Sequence, residues 1–155
     1  MVQSAPSVRF DTLGLTLRRK CFEAPMANFH RHDSVELNLP VVREVGMRLA
    51  GRVVGMAPGR LTAFWAGMPH RLERCAGLAE FFTLSVPMDV VLEWQLPGGF
   101  IGALMSGEVV ESDGSDEAFD REAMPRWARL LERDGESWRA VVLSEVRARL
   151  HQLAL

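Results

Sequence analysis

Short β-prone runs separated by glycine and proline turns are the feature that most limits what the first half of the chain can form. Turn signals recur at intervals of roughly 8–12 residues. In one run Val35, Leu37 and Leu39 alternate with Glu36 and Asn38, which is the period of a strand with one apolar face. The first half is therefore predicted to be an antiparallel β domain, as a sandwich, a jelly roll or a small barrel.

The predicted elements follow from these runs. Strands are expected within residues 8–23, 35–41, 49–55, 61–65, 72–74 and 79–86. The spacing of Met88, Val91 and Leu92 then predicts a helix near 87–96, and residues 100–110 are predicted as one or two strands. Another helix is predicted to begin at Ser115-Asp116-Glu117, where acidic residues suit the helix dipole.

The end of the chain carries the clearest helical pattern. Trp138, Val142, Val146 and Leu150 recur every four residues, and Ser137 is expected to cap the helix. Such a stripe either packs on the domain's own sheet or forms a coiled-coil-like seam with a second copy. Both alternatives are open from the pattern, and a homodimer through these four side chains is predicted.

Composition excludes several classes of protein. The 155 residues suit one domain, and 18 basic against 20 acidic residues give a net charge of −2, so no global positive field attracts nucleic acid. Arg18, Arg19 and Lys20 are interpreted as solvated charges of an edge strand. Two cysteines without a CxxC pair suit a reducing compartment.

Residues 1–7 lack an apolar signal region and no run is long enough to span a membrane, so a cytoplasmic location without membrane contact is predicted.

Three metal-capable side chains fall within seven residues. His30 and His32 are two apart, so on a strand both point to one face, separated by roughly 6.6 Å. On a straight strand Glu36 would lie roughly 20 Å from His30, too far for a shared ion. A metal site therefore requires a corner at Asp33-Ser34, where both residues favour turns.

The fourth candidate ligand, His70, follows in a Gly-Met-Pro-His segment and would come from a neighbouring strand. Three imidazoles and a carboxylate suit a divalent ion such as zinc, nickel or iron. The alternative is a set of hydrogen-bonded or surface histidines without an ion.

These residues resemble the two motifs of the cupin superfamily, which are small metal-binding β-barrels. The likeness is carried by the segment HRHDSVE, by Gly59 and Gly67, and by His70. It implies ligand roles for His30, His32, Glu36 and His70. Three motif positions differ, because Arg43, Trp65 and Arg74 stand where the motifs usually have glycine, proline and asparagine.

Longer blocks resemble the N-terminal regulatory domain of AraC-type (arabinose-operon-type) transcription regulators. They are FHRHDSVELNL, PGRLTAFWAGMPHRL, VPMDVVLEWQLP and VVLSEVRARLHQLAL, in that order. The resemblance implies a barrel that senses a small molecule over 1–114, including the short helix, and a helical segment for packing or dimerisation over 115–155. DNA would be bound through a C-terminal domain that is absent from these 155 residues.

Two functions are therefore expected as alternatives. In the first, a pocket lined by the four candidate ligands together with Asn38 and Trp65 binds a small effector, with one divalent metal ion. In the second, the same four ligands hold iron, manganese or nickel in a cupin-type oxygenase or isomerase.

Overall fold

The structure is a computed structural model that describes residues 7–155. Residues 1–6, on which most of the prediction about a signal region depends, lie outside the described part. The strands are β1 (Val8–Phe10), β2 (Thr16–Phe22), β3 (Phe29–Arg31), β4 (Ser34–Pro40), β5 (Val45–Leu49), β6 (Arg52–Met56), β7 (Thr62–Trp65), β8 (His70–Cys75), β9 (Ala79–Pro87) and β10 (Val110–Glu111). The helices are α1 (Met88–Glu93), α2 (Phe100–Met105), α3 (Glu117–Leu131) and α4 (Glu136–Leu153).

The strands form two five-stranded sheets, in the orders β1-β3-β8-β5-β6 and β10-β7-β4-β9-β2. Neighbours pair antiparallel, except β1 and β3, which are parallel. One apolar cluster joins Met47 and Leu72 of the first sheet to Phe64 and Phe81 of the second, so the sheets pack face to face. The predicted fold class is confirmed in its architecture, which is mainly β with two largely antiparallel sheets and C-terminal helices.

Strand β4 lies in the middle of the second sheet and is buried along its whole length. Val35, Leu37 and Leu39 belong to a cluster shared with the helices, on the outer face of this sheet. Alternation turns Glu36 and Asn38 to the inner face, between the sheets. The strand ends at Pro40, which cannot donate to a ladder.

The helices cover the outer face of the second sheet. Helix α3 contacts β2 and β4, and α4 packs on α3. Val142, Val146 and Leu150 of α4 have no exposed surface, and the half-buried Trp138 packs against the same cluster. The apolar stripe of the terminal helix is thus used inside the chain, which is the first of the two alternatives that its pattern left open.

A buried ion pair also joins the two long helices. The guanidinium of Arg149 donates to both carboxylate oxygens of Asp120 at 2.7 and 2.9 Å. Burial of a charged pair is tolerated only with good hydrogen-bond geometry, which this bidentate contact supplies.

Two sequence predictions are wrong in detail. Residues 100–105 form helix α2 rather than a strand, because Phe100 and Leu104 lie one turn apart and both enter the core. Gly99, with a φ of 84°, begins this helix in a conformation that glycine adopts without strain. Ser137 does not cap α4, which begins one residue earlier, at Glu136, after Gly135.

None of the helices in residues 7–155 combines the length and apolar character required to cross a lipid bilayer.

Candidate metal and ligand site

The four candidate ligands meet between the two sheets. Strand β3 ends at Arg31 and β4 begins at Ser34, so the chain turns at His32 and Asp33, one residue before the predicted corner. His30 pairs with His70 across the β3–β8 ladder. The amide of His32 donates to the carbonyl of Ala66 at 2.9 Å, which anchors the turn.

The spacing of the ligand atoms is close to that of a metal site. His30, His32, Glu36 and His70 each offer one atom, and these four atoms lie within 4.8 Å of one another. Two atoms bound to one ion at about 2.1 Å are at most about 4.2 Å apart. The widest pair exceeds that limit by about 0.6 Å, which small rotations of the imidazole rings would remove.

Two buried nitrogens support this interpretation. His30 Nδ1 and His70 Nε2 have no hydrogen-bond partner among the residues that the structure describes. His70 Nδ1 lies 2.8 Å from the carbonyl oxygen of Met68, and donation along this contact leaves the lone pair of Nε2 facing the cluster. An unpaired buried polar atom is costly, and a bound divalent ion would satisfy both nitrogens. The residues present therefore fit a divalent metal.

Glu36 is held by a chain of hydrogen bonds. One carboxylate oxygen lies 2.9 Å from His32 Nε2, and the other accepts from the Asn38 amide at 3.0 Å. The side-chain oxygen Oδ1 of Asn38 in turn accepts from the Thr83 hydroxyl at 2.8 Å. Outer partners of this kind orient a metal-binding carboxylate. Asn38, predicted as a ligand contact, lies behind Glu36, and Thr83 was not predicted from the sequence.

The electrostatics of the cluster favour ligand lone pairs at neutral pH. Burial, followed by the neighbouring His70, lowers the pKa of His30 to about 4. Burial alone would raise the pKa of Glu36, but the hydrogen bond with His32 and the approach of His70 to 3.6 Å hold it well below its ordinary value. An uncharged His30 and an ionised Glu36 are the protonation states that a metal ion accepts.

A cavity of about 320 Å³ opens over His30, His32 and Glu36. Residues 9–13 and Met26 also line it. Strand β2 contributes Thr16, Arg18 and Lys20, and β9 contributes Thr83 and Ser85. Strand β2 lies at the edge of its sheet, as predicted for Arg18 and Lys20, and Arg18 is exposed. Both side chains also line this cavity, which the sequence pattern did not predict.

Trp65 is not among the residues that line the cavity. Phe64 takes the inward position of β7, where its ring meets that of His70 edge to face at 5.1 Å. Alternation then turns Trp65 to the outer face, where it packs against the cluster shared with the helices.

Comparison with known proteins finds a similarity to an operon regulatory protein. The chain is 28% identical over 136 residues to the melibiose operon regulatory protein of Escherichia coli strain K12, which covers 86% of this chain and 45% of that protein. No protein-family model matches the chain. The AraC-like transcriptional activator CuxR superposes with a TM-score of 0.56 at 15% identity, over 79% of this chain and 42% of that one. The predicted resemblance to AraC-type regulators is confirmed.

The chain is thus similar in sequence to an operon regulatory protein and in fold to an AraC-like activator, and it spans less than half the length of the curated relatives that it matches. A further solved structure, a mutant of Bacillus subtilis oxalate decarboxylase, gives a TM-score of 0.42 at 17% identity over 60% of this chain and 29% of that one.

Proposed function

We propose that this chain is the ligand-sensing and dimerisation part of an AraC-type transcriptional regulator, and that it binds a small effector together with one divalent metal ion inside the barrel. Residues 1–114 form the sensing barrel and residues 115–155 the helical segment in this proposal. DNA is bound through a segment outside these 155 residues, and the protein acts in the cytoplasm.

The observation that carries the proposal is the buried cluster of three imidazoles and one carboxylate beneath a cavity. His30, His32, Glu36 and His70 hold the ion, which supplies a Lewis-acidic centre for an oxygen ligand of the effector. Zinc, nickel and iron are the ions that this ligand set suits.

The relatives favour a sensor over the alternative of a metal-dependent cupin enzyme. The melibiose protein is named as an operon regulator, and CuxR as a transcriptional activator. The cavity walls hold no carboxylate other than Asp11 and Glu36, among the described residues. Asp11 is paired with Arg9 at 2.7 Å and Glu36 is a proposed ligand, so neither is a free acid or base for catalysis.

The packing supports a route from the cavity to the terminal helix. The inner faces of β2 and β4 line the cavity, and their outer faces carry α3. Helix α4 rests on α3 and shares its buried ion pair. An effector that displaces the edge strand β2 relative to β4, across the intervening β9, would therefore shift α3 and α4 together, which couples binding to the placement of whatever follows the helix.

Dimerisation through Trp138, Val142, Val146 and Leu150 remains part of the proposal. Since three of these four side chains are fully buried within the chain, contact through them requires α4 to move away from α3. Effector-dependent release of α4 would meet that requirement.

Metal retention tests the proposal. The chain is incubated separately with Zn²⁺, Ni²⁺ and Fe²⁺ and desalted, and the bound metal is quantified by mass spectrometry. One equivalent of at least one ion is expected for the wild type, and a large loss for His70→Gln and Glu36→Gln. His151→Gln is the matched control, because His151 lies on α4, outside the cluster. Failure of the wild type to retain any of the three ions, or equal retention by His70→Gln, would overturn the metal site.

A further inference from the structure

We propose that the effector is a small polyhydroxy carboxylate, whose anionic group binds Lys20 and Arg18 on the inner face of β2 while its hydroxyl groups face Thr16 and Ser85. This inference rests on the proposed function, since it names the chemical class of the molecule in the same cavity.

The alternation of β2 decides which of its charges enter the cavity. Thr16, Arg18 and Lys20 line it. The intervening residues face outward: Leu17 packs against the helix cluster, and Arg19 makes a salt bridge with Glu80 at 2.7 Å. Two of the three consecutive basic residues of this strand are therefore on the wall above the candidate metal ligands.

These two cations lack a charge partner. Within residues 7–155, no carboxylate oxygen lies within salt-bridge distance of Arg18 or Lys20. Arg9, the third basic residue of the cavity, is neutralised by Asp11 at 2.7 Å. Glu36 is already engaged by His32 and Asn38.

The position of Lys20 is close enough to the cluster for its charge to act there. It lines the same cavity as His30 and Glu36. The low-dielectric walls of a cavity strengthen such a field, and a divalent ion on the four ligands would add to it. The cavity is thus electrostatically suited to an anion.

Hydroxyl groups line the wall beside the two cations. Thr16 stands opposite Ser85, and Arg18 stands opposite Thr83, in the β2–β9 ladder. Serine and threonine hydroxyls both donate and accept, which suits the hydroxyl groups of a ligand. A volume of about 320 Å³ is near the lower end of small-molecule sites. It favours a ligand with one ring or a short chain over a nucleotide or a peptide.

Calorimetric titration of the chain with matched pairs of compounds tests the inference. The pairs are D-galacturonate with D-galactose, D-glucuronate with D-glucose, and D-gluconate with D-glucitol, each titrated into Zn²⁺-loaded and into metal-free protein. At least one acid is expected to bind about 10-fold or more tightly than its neutral partner, because a charge-assisted hydrogen bond is stronger than a neutral one. Lys20→Gln is expected to remove that preference.

Arg19→Gln is the matched control, since it removes the same charge from the outer face of the same strand. It is expected to leave the binding of the acid within about 2-fold of wild type, because exposed ion pairs contribute little. Neutral sugars that bind as tightly as their acids would overturn the inference and leave a sensing barrel in place. A panel in which no acid binds would overturn it as well, and the metal-retention experiment then decides separately on the metal site.

Discussion

At the scale of single residues, the most informative arrangement is the chain of side-chain hydrogen bonds from Thr83 through Asn38 to Glu36. Each link is a hydrogen bond of 2.8–3.0 Å between buried side chains. The hydrogen bond from Asn38 fixes one carboxylate oxygen of Glu36, so that the other oxygen is directed at His32 and His70. Asn38 is therefore a positioning residue, and its effect is expected on metal affinity.

Asn38→Ala is expected to weaken Zn²⁺ binding by about 10–100-fold, as loss of an outer-shell partner typically does. The reason is that Glu36 loses the donor that holds its carboxylate plane. Competition with a chromophoric chelator measures the change. Ser85→Ala is the control, since Ser85 lies on the same inner wall without a hydrogen bond to Glu36, and unchanged affinity of the Asn38 variant would contradict this role.

Arg149→Met is expected to destabilise the fold by about 3–5 kcal/mol, because it leaves the buried carboxylate of Asp120 without its charge partner. Arg147→Met, on the exposed side of the same helix, is the control and is expected to change stability by less than about 0.5 kcal/mol. Urea unfolding followed by circular dichroism measures both. Equal stability of the two variants would mean that the ion pair contributes nothing to the packing of α3 and α4.

At the scale of elements, helix α2 shows how packing overrides a local pattern. Its six residues include a glycine, and the run reads as a strand by composition. The core accepts Phe100 and Leu104 from one side only, which is the spacing of one helical turn. The exposed Gly102 and the left-handed Gly99 provide a direct test of this element.

Gly102→Ala is expected to stabilise the protein by about 0.5–1 kcal/mol, since alanine is the better helix former and a Cβ there meets nothing within 4 Å. Gly99→Ala is the opposing variant. Its φ of 84° is expected to make the change destabilising by about 1–2 kcal/mol. Denaturant midpoints of the two variants measure the difference, and a stabilising Gly99→Ala would contradict the left-handed start of α2.

At the scale of the whole molecule, one sheet serves two purposes. Its inner face forms the candidate site, and its outer face supports the helices through a continuous apolar cluster. The site and the terminal helix are therefore separated by the thickness of a strand layer and one helix. A sensor whose output lies beyond the last helix requires such a connection.

Val146→Glu is expected to abolish the folded state, because the change buries a carboxylate without a partner in a fully enclosed position. Val141→Glu, at a position of the same helix that is 37% exposed, is expected to retain the fold. Near-ultraviolet circular dichroism and sedimentation velocity distinguish the two. A folded, monomeric Val146→Glu protein would show instead that this side chain belongs to a contact between copies.

Much of this protein follows from its sequence alone. The alternation around Val35, Leu37 and Leu39 predicts the central strand. Because ligands on a straight strand are too far apart to share an ion, the metal hypothesis predicts a corner at Asp33-Ser34, and the chain turns one residue earlier. Both are consequences of local geometry, since strand rise and side-chain direction depend on neighbours along the chain.

Only the tertiary structure decided which partner covers each face. Lys20 and Trp65 are examples: periodicity says that each lies on one side of a strand, but whether that side meets water, the second sheet or the helices depends on residues far away in the chain. The same holds for Val146, whose stripe suits a neighbouring copy as well as α3 and the sheet beneath it. A local pattern specifies an apolar or polar face, whereas its occupant is selected by the packing free energy of the whole molecule.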